Sequence, residues 1–233
     1  MYWQEESPAK TAINYAVIDV LFALQGRTLP VDHGYTLQQA VLAHAPWLHE
    51  EPQAGIHRIH VAGSQNGWQR PDGDQPLMLS KRTKLSIRIP KSRLNALQQA
   101  LEQQTLDVGG HRLTIGAGKV RLLSRETTLL ARYLVSDHNL DETAFLATIA
   151  DQLQAHNIKI RKALCGKPAV LFHPDGAIAT RSLLLADLTQ DEALTLQQLG
   201  LGAHRTLGCG LFIPHKGIGV ASRSTLHSFS SET

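Results

Sequence analysis

The sequence is poor in the residues that define several large protein classes. It has only two cysteines, Cys165 and Cys209, in 233 residues, too few for the disulfide framework of a small secreted protein. No apolar run approaches the roughly 20 residues that cross a bilayer. Asp19 also interrupts the first apolar stretch, so a signal peptide is not expected. We therefore expect a cytoplasmic protein without membrane spans.

Aromatic residues and net charge are also scarce. Aromatics make up 5% of the chain, which argues against binding of single-stranded nucleic acid by the stacking of many bases. The net charge is only +3, but residues 79–135 contain 11 lysines and arginines against 3 acidic residues. A positive surface on a nearly neutral protein is typical of proteins that bind polyanions. A structured RNA stem gripped through its phosphates fits this composition better than an unpaired strand does.

Hydrophobic periodicity predicts an α+β fold. The first half is predicted to have strands at 15–24, 56–61, 84–89 and 111–115, and helices at 34–45 and 91–103. The second half is predicted to have a long strand at 119–135, a helix capped by Asp141, strands at 158–163, 168–173 and 178–186, a helix with a Thr189–Glu192 capping box, and a strand at 210–214. The order βαββαβ is the ferredoxin-like unit. We predict two tandem ferredoxin-like (βαββαβ, RRM-like) domains with antiparallel sheets, residues 1–118 and 119–233, the second containing an extra or split strand.

A basic segment at 80–93 is the first candidate binding surface. It contains no acidic residue, and its strand should carry Lys84 and Arg88 on one face, preceded by Lys81 and Arg82. Such a strand can bind RNA phosphates, although charge that keeps a sheet edge soluble explains the segment about as well. We add Arg121 from the same basic block to the candidate RNA-binding residues.

The second candidate is a glycine-rich loop, residues 200–217. Glycines let the backbone approach a phosphate closely, and the cations supply charge. Because the loop follows a helix and enters a strand, a dinucleotide-binding loop is disfavoured; a helix C-cap followed by a turn is the simpler alternative. The candidate RNA-binding residues here are Gly202, His204, Arg205, Gly208, Gly210 and Lys216.

Histidines are frequent between positions 33 and 60. They are His33, His44, His49, His57 and His60. His57 and His60 could bind zinc, but residues three apart on a strand point to opposite faces, and neither a cysteine nor a glutamate cluster completes a ligand set. Each lone histidine is more often structural, and His44 on an apolar helix face fits the edge of a core. We predict no metal site.

Three segments together resemble one known family. They are VIDVLFALQGRTLPVDHGYTLQQAV (17–41), PWLHEEPQAGIHRI (46–59) and LQQLGLGAHRTLGCGLFIPHKG (196–217). They resemble the CRISPR-repeat endoribonucleases of the repeat-associated (RAMP) superfamily, in particular the type I-G (formerly I-U, MYXAN-subtype) branch. The resemblance implies a tandem or paired ferredoxin-like fold and cleavage of precursor guide RNA beside a repeat stem-loop.

The resemblance also implies a mechanism that requires neither metal nor cofactor. A ribose 2′-OH attacks the adjacent phosphate, leaving a 2′,3′-cyclic phosphate and a 5′-OH, and histidine can transfer both protons near neutral pH. The position of the catalytic histidine in relatives matches His44, His49 or His57. We favour His57 with His44 or His49 as partner, and His33 stays open because a helix N-terminus favours phosphate.

The expected partner is CRISPR repeat stem-loop RNA, and other subunits of an effector complex are possible partners. A non-catalytic RNA-binding subunit of such a complex is the alternative function. An unrelated metal-dependent enzyme that uses the histidines is a third.

Overall fold

The computed structural model describes residues 16–61, 75–137 and 140–215. Its first sheet contains β1 (Val17–Gln25), β3 (Gly55–Ile56), β5 (Lys84–Pro90), β6 (Thr105–Val108) and β7 (His111–Leu122), and β2 (Thr28–Leu29) pairs with β4 (Leu77–Met78) beside it. The helices are α1 (Gly34–Leu42) and α2 (Leu94–Leu101), and short 3-10 helices occur at Pro46–His49 and Lys91–Arg93. The strand order is β3-β5-β1-β7-β6, and all pairs are antiparallel.

The second sheet repeats this arrangement. It contains β8 (Leu129–Val135), β9 (Lys162–Leu171), β10 (Ile178–Ala186) and β11 (Phe212–Pro214), joined by α3 (Glu142–Gln154) and α4 (Gln190–Leu199). The order is β11-β8-β10-β9, again antiparallel. In both sheets the first strand therefore lies between the third and the last, as in the ferredoxin-like unit. The predicted fold class is confirmed.

Each sheet packs its helices against a separate core. Ile18, Val20 and Phe22 alternate along β1 and are fully buried with Leu37 of α1 and Leu97 of α2. In the second domain, residues spaced four apart on α3 are buried against β10 and β11. They are Phe145, Ile149 and Leu153. The strand period of two and the helix period near 3.6 thus separate the buried from the exposed faces.

The predicted helix caps of the second domain are confirmed. The Asp141 side chain accepts a hydrogen bond from the Ala144 backbone N–H at 2.8 Å. Thr189 and Glu192 form the reciprocal capping box that begins α4. The helix ends at Leu199, and Gly200 follows with a φ of 66°. That conformation favours glycine because it has no Cβ.

Several strand boundaries were wrong. The strand predicted at 119–135 is two strands, because β7 continues to Leu122 in the first sheet and β8 begins at Leu129 in the second. The strands predicted at 158–163 and 168–173 are the single strand β9, so the described residues of the second domain contain no extra strand. Residues 119–122 thus pair with β1 of the first sheet, and we propose that the domains divide between 123 and 128 rather than at 118.

Two arginines, one from each domain, donate hydrogen bonds across the domain junction. Arg88 of β5 donates from Nη1 to main-chain oxygens of α4 and β11, at 2.9 and 3.0 Å. Arg205 of the second domain donates to the carbonyl oxygens of Ala54 and Gln53, at 3.0 and 3.1 Å. The junction is therefore tied from both sides by side chains that the sequence predicts to bind RNA.

None of the helices in residues 16–61, 75–137 and 140–215 is long and apolar enough to cross a bilayer.

Candidate functional site

His57 lies directly after β3, at the junction of the two domains. Its backbone N–H donates to the Ser86 oxygen at 3.0 Å, which continues the pairing with β5 for one residue and fixes the position of the imidazole. The side chain is 14% exposed, and Nε2 lies 3.6 Å from Asp19 Oδ1. Burial lowers the pKa of His57, and the nearby Asp19 carboxylate opposes this only in part. The ring is therefore neutral at pH 7, the form that can accept a proton.

Asp19 connects His57 to two arginines. It is 2% exposed, and Arg88 binds both of its carboxylate oxygens, at 2.8 and 3.2 Å. Arg121 Nη2 donates to Oδ2 at 2.8 Å, yet the Arg121 side chain is 49% exposed. Burial alone would raise the pKa of Asp19, but the Arg88 charge and the His57 contact outweigh it and hold the pKa well below its usual value. The chain His57–Asp19–Arg121 thus links a shielded imidazole to a solvent-accessible cation.

A cavity of about 30 Å³ opens beside His57 at the junction. Its polar lining is His57, Arg58, His60, Arg132 and Tyr133. His60 is exposed at the rim, where partial burial and the Arg132 charge lower its pKa. We predicted that the rings of His57 and His60 point to opposite faces of a strand; this was wrong, because β3 ends at Ile56 and both residues line the same cavity.

His33 is a buried histidine whose two ring nitrogens are both hydrogen-bonded. Nδ1 lies 2.9 Å from the Pro30 oxygen, and Nε2 accepts the Ile59 backbone N–H at 3.1 Å. Burial lowers its pKa to about 4. In this arrangement His33 ties the start of α1 to the segment after β3, and neither nitrogen is available to a substrate.

His44 and His49 lie outside the cavity lining. His44 follows α1 and is exposed, so the prediction that it lies at a core edge was wrong. His49 ends the 3-10 helix Pro46–His49 and is also exposed. The residues beside His57 are instead Asp19, His60 and Arg132, and the sequence did not single out Asp19 or Arg132. The only sequence signal for Asp19 was a charge inside an apolar strand.

The open face of the first sheet carries three exposed cations. β1 pairs Ala23 with Lys84 of β5, Leu21 with Lys119 of β7 and Asp19 with Arg121. The three cations therefore lie on neighbouring strands around a shallow cavity of about 190 Å³. We call Lys84, Lys119 and Arg121 the basic sheet face. Lys84 and Arg121 were predicted from the sequence, and Lys119 was missed although it alternates with Arg121.

The turn before β5 presents the other predicted cations of this region. Lys81 and Arg82 are exposed there. Thr83 holds the turn closed, because its N–H donates to the Ser80 oxygen at 3.0 Å and its Oγ1 accepts the Ser80 N–H at 3.1 Å.

Other predicted RNA-binding residues lie at the domain junction, where they are buried or half-buried. Arg88 does share a strand face with Lys84, but the second domain covers that end of β5 and Arg88 is fully buried. The Arg205 guanidinium donates hydrogen bonds to backbone oxygens of the junction. Gly210 is buried with a φ of 68°, and a Cβ on Gly208 would lie 2.9 Å from the Arg58 side chain. These residues build the junction and do not present a phosphate-binding surface.

Of the predicted RNA-binding residues in the described part of the glycine-rich loop, Gly202 and His204 are exposed. Lys216 lies outside the described residues. Among residues 16–61, 75–137 and 140–215, no group of three or more His, Cys, Asp or Glu side chains is placed to hold a metal ion.

Known proteins share this fold and sequence. The Cas6 family model, described as Cas6 Crispr, matches residues 18–217. A CRISPR-associated endonuclease Cas6 from Myxococcus xanthus (strain DK1622) is 29% identical over 197 residues, covering 84% of this chain and 81% of the relative. A solved CRISPR associated protein Cas6 has a TM-score of 0.61 at 13% identity, covering 86% of this chain and 100% of its own.

Two further solved structures are similar. A Cas6-related protein from Pyrococcus furiosus has a TM-score of 0.61 at 15% identity, covering 84% of this chain and 97% of its own. A RAMP protein described as binding different RNA substrates has a TM-score of 0.57 at 15% identity, covering 85% and 100%. At these identities the structures show the fold alone. Because the family model spans most of the sequence, the chain belongs to the Cas6 family of CRISPR RNA-processing proteins.

Proposed function

We propose that this protein is a metal-independent endoribonuclease that binds CRISPR repeat stem-loop RNA and cuts the precursor into guide RNAs. The products carry a 2′,3′-cyclic phosphate and a 5′-OH. The observation that carries the proposal is His57: an imidazole with a lowered pKa that is joined through Asp19 to an exposed arginine on the basic sheet face. The endonuclease relative from Myxococcus xanthus supports the reaction class.

The basic sheet face binds the stem. Lys84, Lys119 and Arg121 lie on three neighbouring strands and can follow a line of phosphates, and Lys81 and Arg82 extend the positive surface at the turn before β5. The carboxylate of Asp19, on β1 beside these cations, is already paired with two arginines and does not repel RNA. Contacts of this kind position RNA without reading its sequence.

The chemistry takes place at the junction cavity. His57 takes the proton of the ribose 2′-OH as its oxygen attacks phosphorus; the bond from phosphorus to the 5′ oxygen breaks, and a protonated histidine returns a proton to that oxygen. His60 lies at the rim of the same cavity and is the partner best placed for this second step. Partial burial and the charge of a nearby arginine lower its pKa, and a bound phosphate raises the pKa by opposing the arginine charge. Arg58 and Arg132 supply positive charge for the transition state.

The cavity admits little more than one water molecule, so the scissile phosphate binds at its rim. This placement keeps the reacting atoms next to His60 and shields His57 from bulk water, which keeps its pKa low. His33 takes no part, because both of its ring nitrogens are hydrogen-bonded within the protein. RNA processing of this kind places the protein in the cytoplasm, alone or with other subunits of a CRISPR complex.

Single-turnover cleavage of repeat RNA tests the assignment. We expect His57→Ala to slow cleavage by roughly 10²- to 10⁴-fold while RNA affinity stays within a few-fold, because the ring does not lie on the basic sheet face. His44→Ala is the matched control and should cut like the wild type. Full activity in His57→Ala would rule out His57 and move the assignment to another histidine. Tight binding without any cleavage by the wild type would instead support the alternative, a non-catalytic RNA-binding subunit.

A further inference from the structure

A cluster of four rings lies where the start of α1, the end of β9 and the glycine-rich loop meet. They are Tyr35, Phe172, His173 and His204. We propose that this ring cluster is a stacking site for one unpaired nucleobase of the RNA. The inference rests on the proposed function, since it names a second contact made by the same RNA.

The rings come from three separate parts of the chain. Tyr35 lies in the first turn of α1, Phe172 and His173 directly follow β9, and His204 belongs to the glycine-rich loop. The Tyr35 ring centroid is 6.3 Å from that of Phe172 and 5.3 Å from that of His173, and both pairs are nearly perpendicular. The His173 and His204 centroids are 6.1 Å apart. Edge-to-face packing on Tyr35 fixes the orientation of the neighbouring rings.

The cluster leaves ring surface open to solvent. Phe172 is 60% exposed, and His204 is also exposed, whereas the residues beneath them, Leu171, Leu207 and Cys209, are buried. A phenylalanine that only packed the hairpin against α1 would cover its ring, as Phe22 and Phe212 do in the two cores. An exposed ring whose orientation is fixed is the geometry that a planar base requires.

The backbone of His204 is held in an unfavourable conformation. Its φ is 60°, in the left-handed region that most side chains avoid. Its carbonyl oxygen accepts the N–H groups of Leu207 and Cys209, at 3.0 and 3.1 Å, which fixes this conformation. A glycine would adopt the same backbone without strain, so the conformation alone does not require a histidine here. The turn itself therefore does not require the imidazole of His204.

The ring cluster is continuous with the candidate cleavage site. Tyr35 and Tyr133 pack on the same buried residues, and Tyr133 lines the junction cavity. Arg58, which also lines the cavity, stacks over the Tyr133 ring at 5.1 Å. The ring cluster and the junction cavity thus rest on the same buried residues. This continuity favours a nucleobase as the occupant over a protein segment.

One carboxylate lies beside the ring cluster. His173 Nδ1 accepts the Asp175 backbone N–H at 3.3 Å, and the Asp175 carboxylate lies 3.6 Å from the same nitrogen. Aromatic residues are only 5% of the chain, which excludes stacking of many bases but not a single site where several rings converge. The RNA would therefore be gripped by its stem phosphates and fixed by one unpaired base.

An abasic scan combined with a double-mutant cycle tests this site. The RNA is a synthetic copy of the CRISPR repeat from the genome that encodes the protein, with a single abasic nucleotide placed at each unpaired position in turn. Its affinity for the protein is measured in EDTA by fluorescence anisotropy. We expect Phe172→Ala to weaken binding of intact RNA by roughly 5- to 150-fold, and Phe172→Trp to restore it. Val170→Ala is the control, because Val170 is 56% exposed on the same hairpin but has no ring.

One abasic position should bind the wild type and Phe172→Ala equally, because the base that stacks on Phe172 is then absent. The proposal is overturned if Phe172→Ala binds intact RNA like the wild type, or if its deficit persists at every abasic position. Cleavage is followed in the same samples. A wild type that cuts while Phe172→Ala is unimpaired refutes the stacking site alone, whereas a wild type that neither binds nor cuts the RNA refutes the proposed function as well.

Discussion

Arg88→Ala should destabilise the protein through the domain junction. The guanidinium is fully buried and donates to both carboxylate oxygens of Asp19 and to two main-chain oxygens of the second domain. Truncation leaves the buried Asp19 with Arg121 as its remaining arginine partner. It also removes the hydrogen-bond donor of two main-chain carbonyl groups and creates a cavity. Removing one member of a buried ion pair costs about 3–5 kcal/mol, so we expect a loss of that size in the free energy of unfolding.

Urea unfolding followed by circular dichroism and by tryptophan fluorescence measures this loss. Arg82→Ala is the control: it removes the same side chain from an exposed turn and should change stability by less than about 0.5 kcal/mol. The double variant Asp19→Leu/Arg88→Met has no buried carboxylate at this position. It should therefore be more stable, by at least about 1 kcal/mol, than the sum of the effects of Asp19→Leu and Arg88→Met measured singly. An Arg88→Ala protein as stable as Arg82→Ala, or strictly additive changes, would refute this account of the junction.

Three further predictions concern pH and salt. Because burial lowers the pKa of His57, the acid limb of kcat/KM for cleavage should have its midpoint below 6.5; a midpoint at or above 6.5 would contradict the shielded imidazole. Lys84→Ala and Lys119→Ala should each reduce the slope of log affinity against log salt by about 0.7–0.9. The control is Lys162→Ala, which should leave the slope unchanged because the Lys162 ammonium is already paired with a carboxylate. Wild-type slopes in both test variants would show that the basic sheet face does not bind the RNA. His33 has a pKa of about 4 in the folded protein, below the unfolded value near 6.5. Its contribution to the free energy of unfolding, about 3 kcal/mol, is therefore complete above pH 6.5 and is lost as the pH falls toward 4. His33→Gln should remove that part of the pH dependence of unfolding, and an unchanged stability curve between pH 4 and 6.5 would show that His33 is not buried as described.

The order of elements could be predicted because it follows from local patterns. Alternation along β1 and β5, the cap at Asp141 and the capping box at Thr189 each depend on a few neighbouring residues, and the structure confirms them. The end of β7 could not be placed in this way. Residues 119–122 are as compatible with the second sheet as with the first, and only pairing with β1, about a hundred residues earlier in the chain, assigns them.

The candidate site was harder to predict because it depends on contacts between domains. The sequence correctly placed Lys84 and Arg88 on one strand face, but it could not show that the second domain covers Arg88 and leaves Lys84 exposed. Similarly, the loop glycines suggested a phosphate cradle, whereas Gly208 and Gly210 permit the loop to pack tightly on the first domain and on itself. His57 and His60 share a cavity because the strand ends one residue before His57, a boundary that periodicity does not resolve.

Cleavage of end-labelled repeat RNA in excess EDTA, followed by analysis of the 3′ ends of the products, tests the central claim most directly. The account predicts that the wild type cuts at an undiminished rate and leaves a 2′,3′-cyclic phosphate, because imidazole groups at the domain junction transfer both protons. Cleavage that stops in EDTA and returns with added Mg²⁺, or products that end in a 3′-OH, would contradict it.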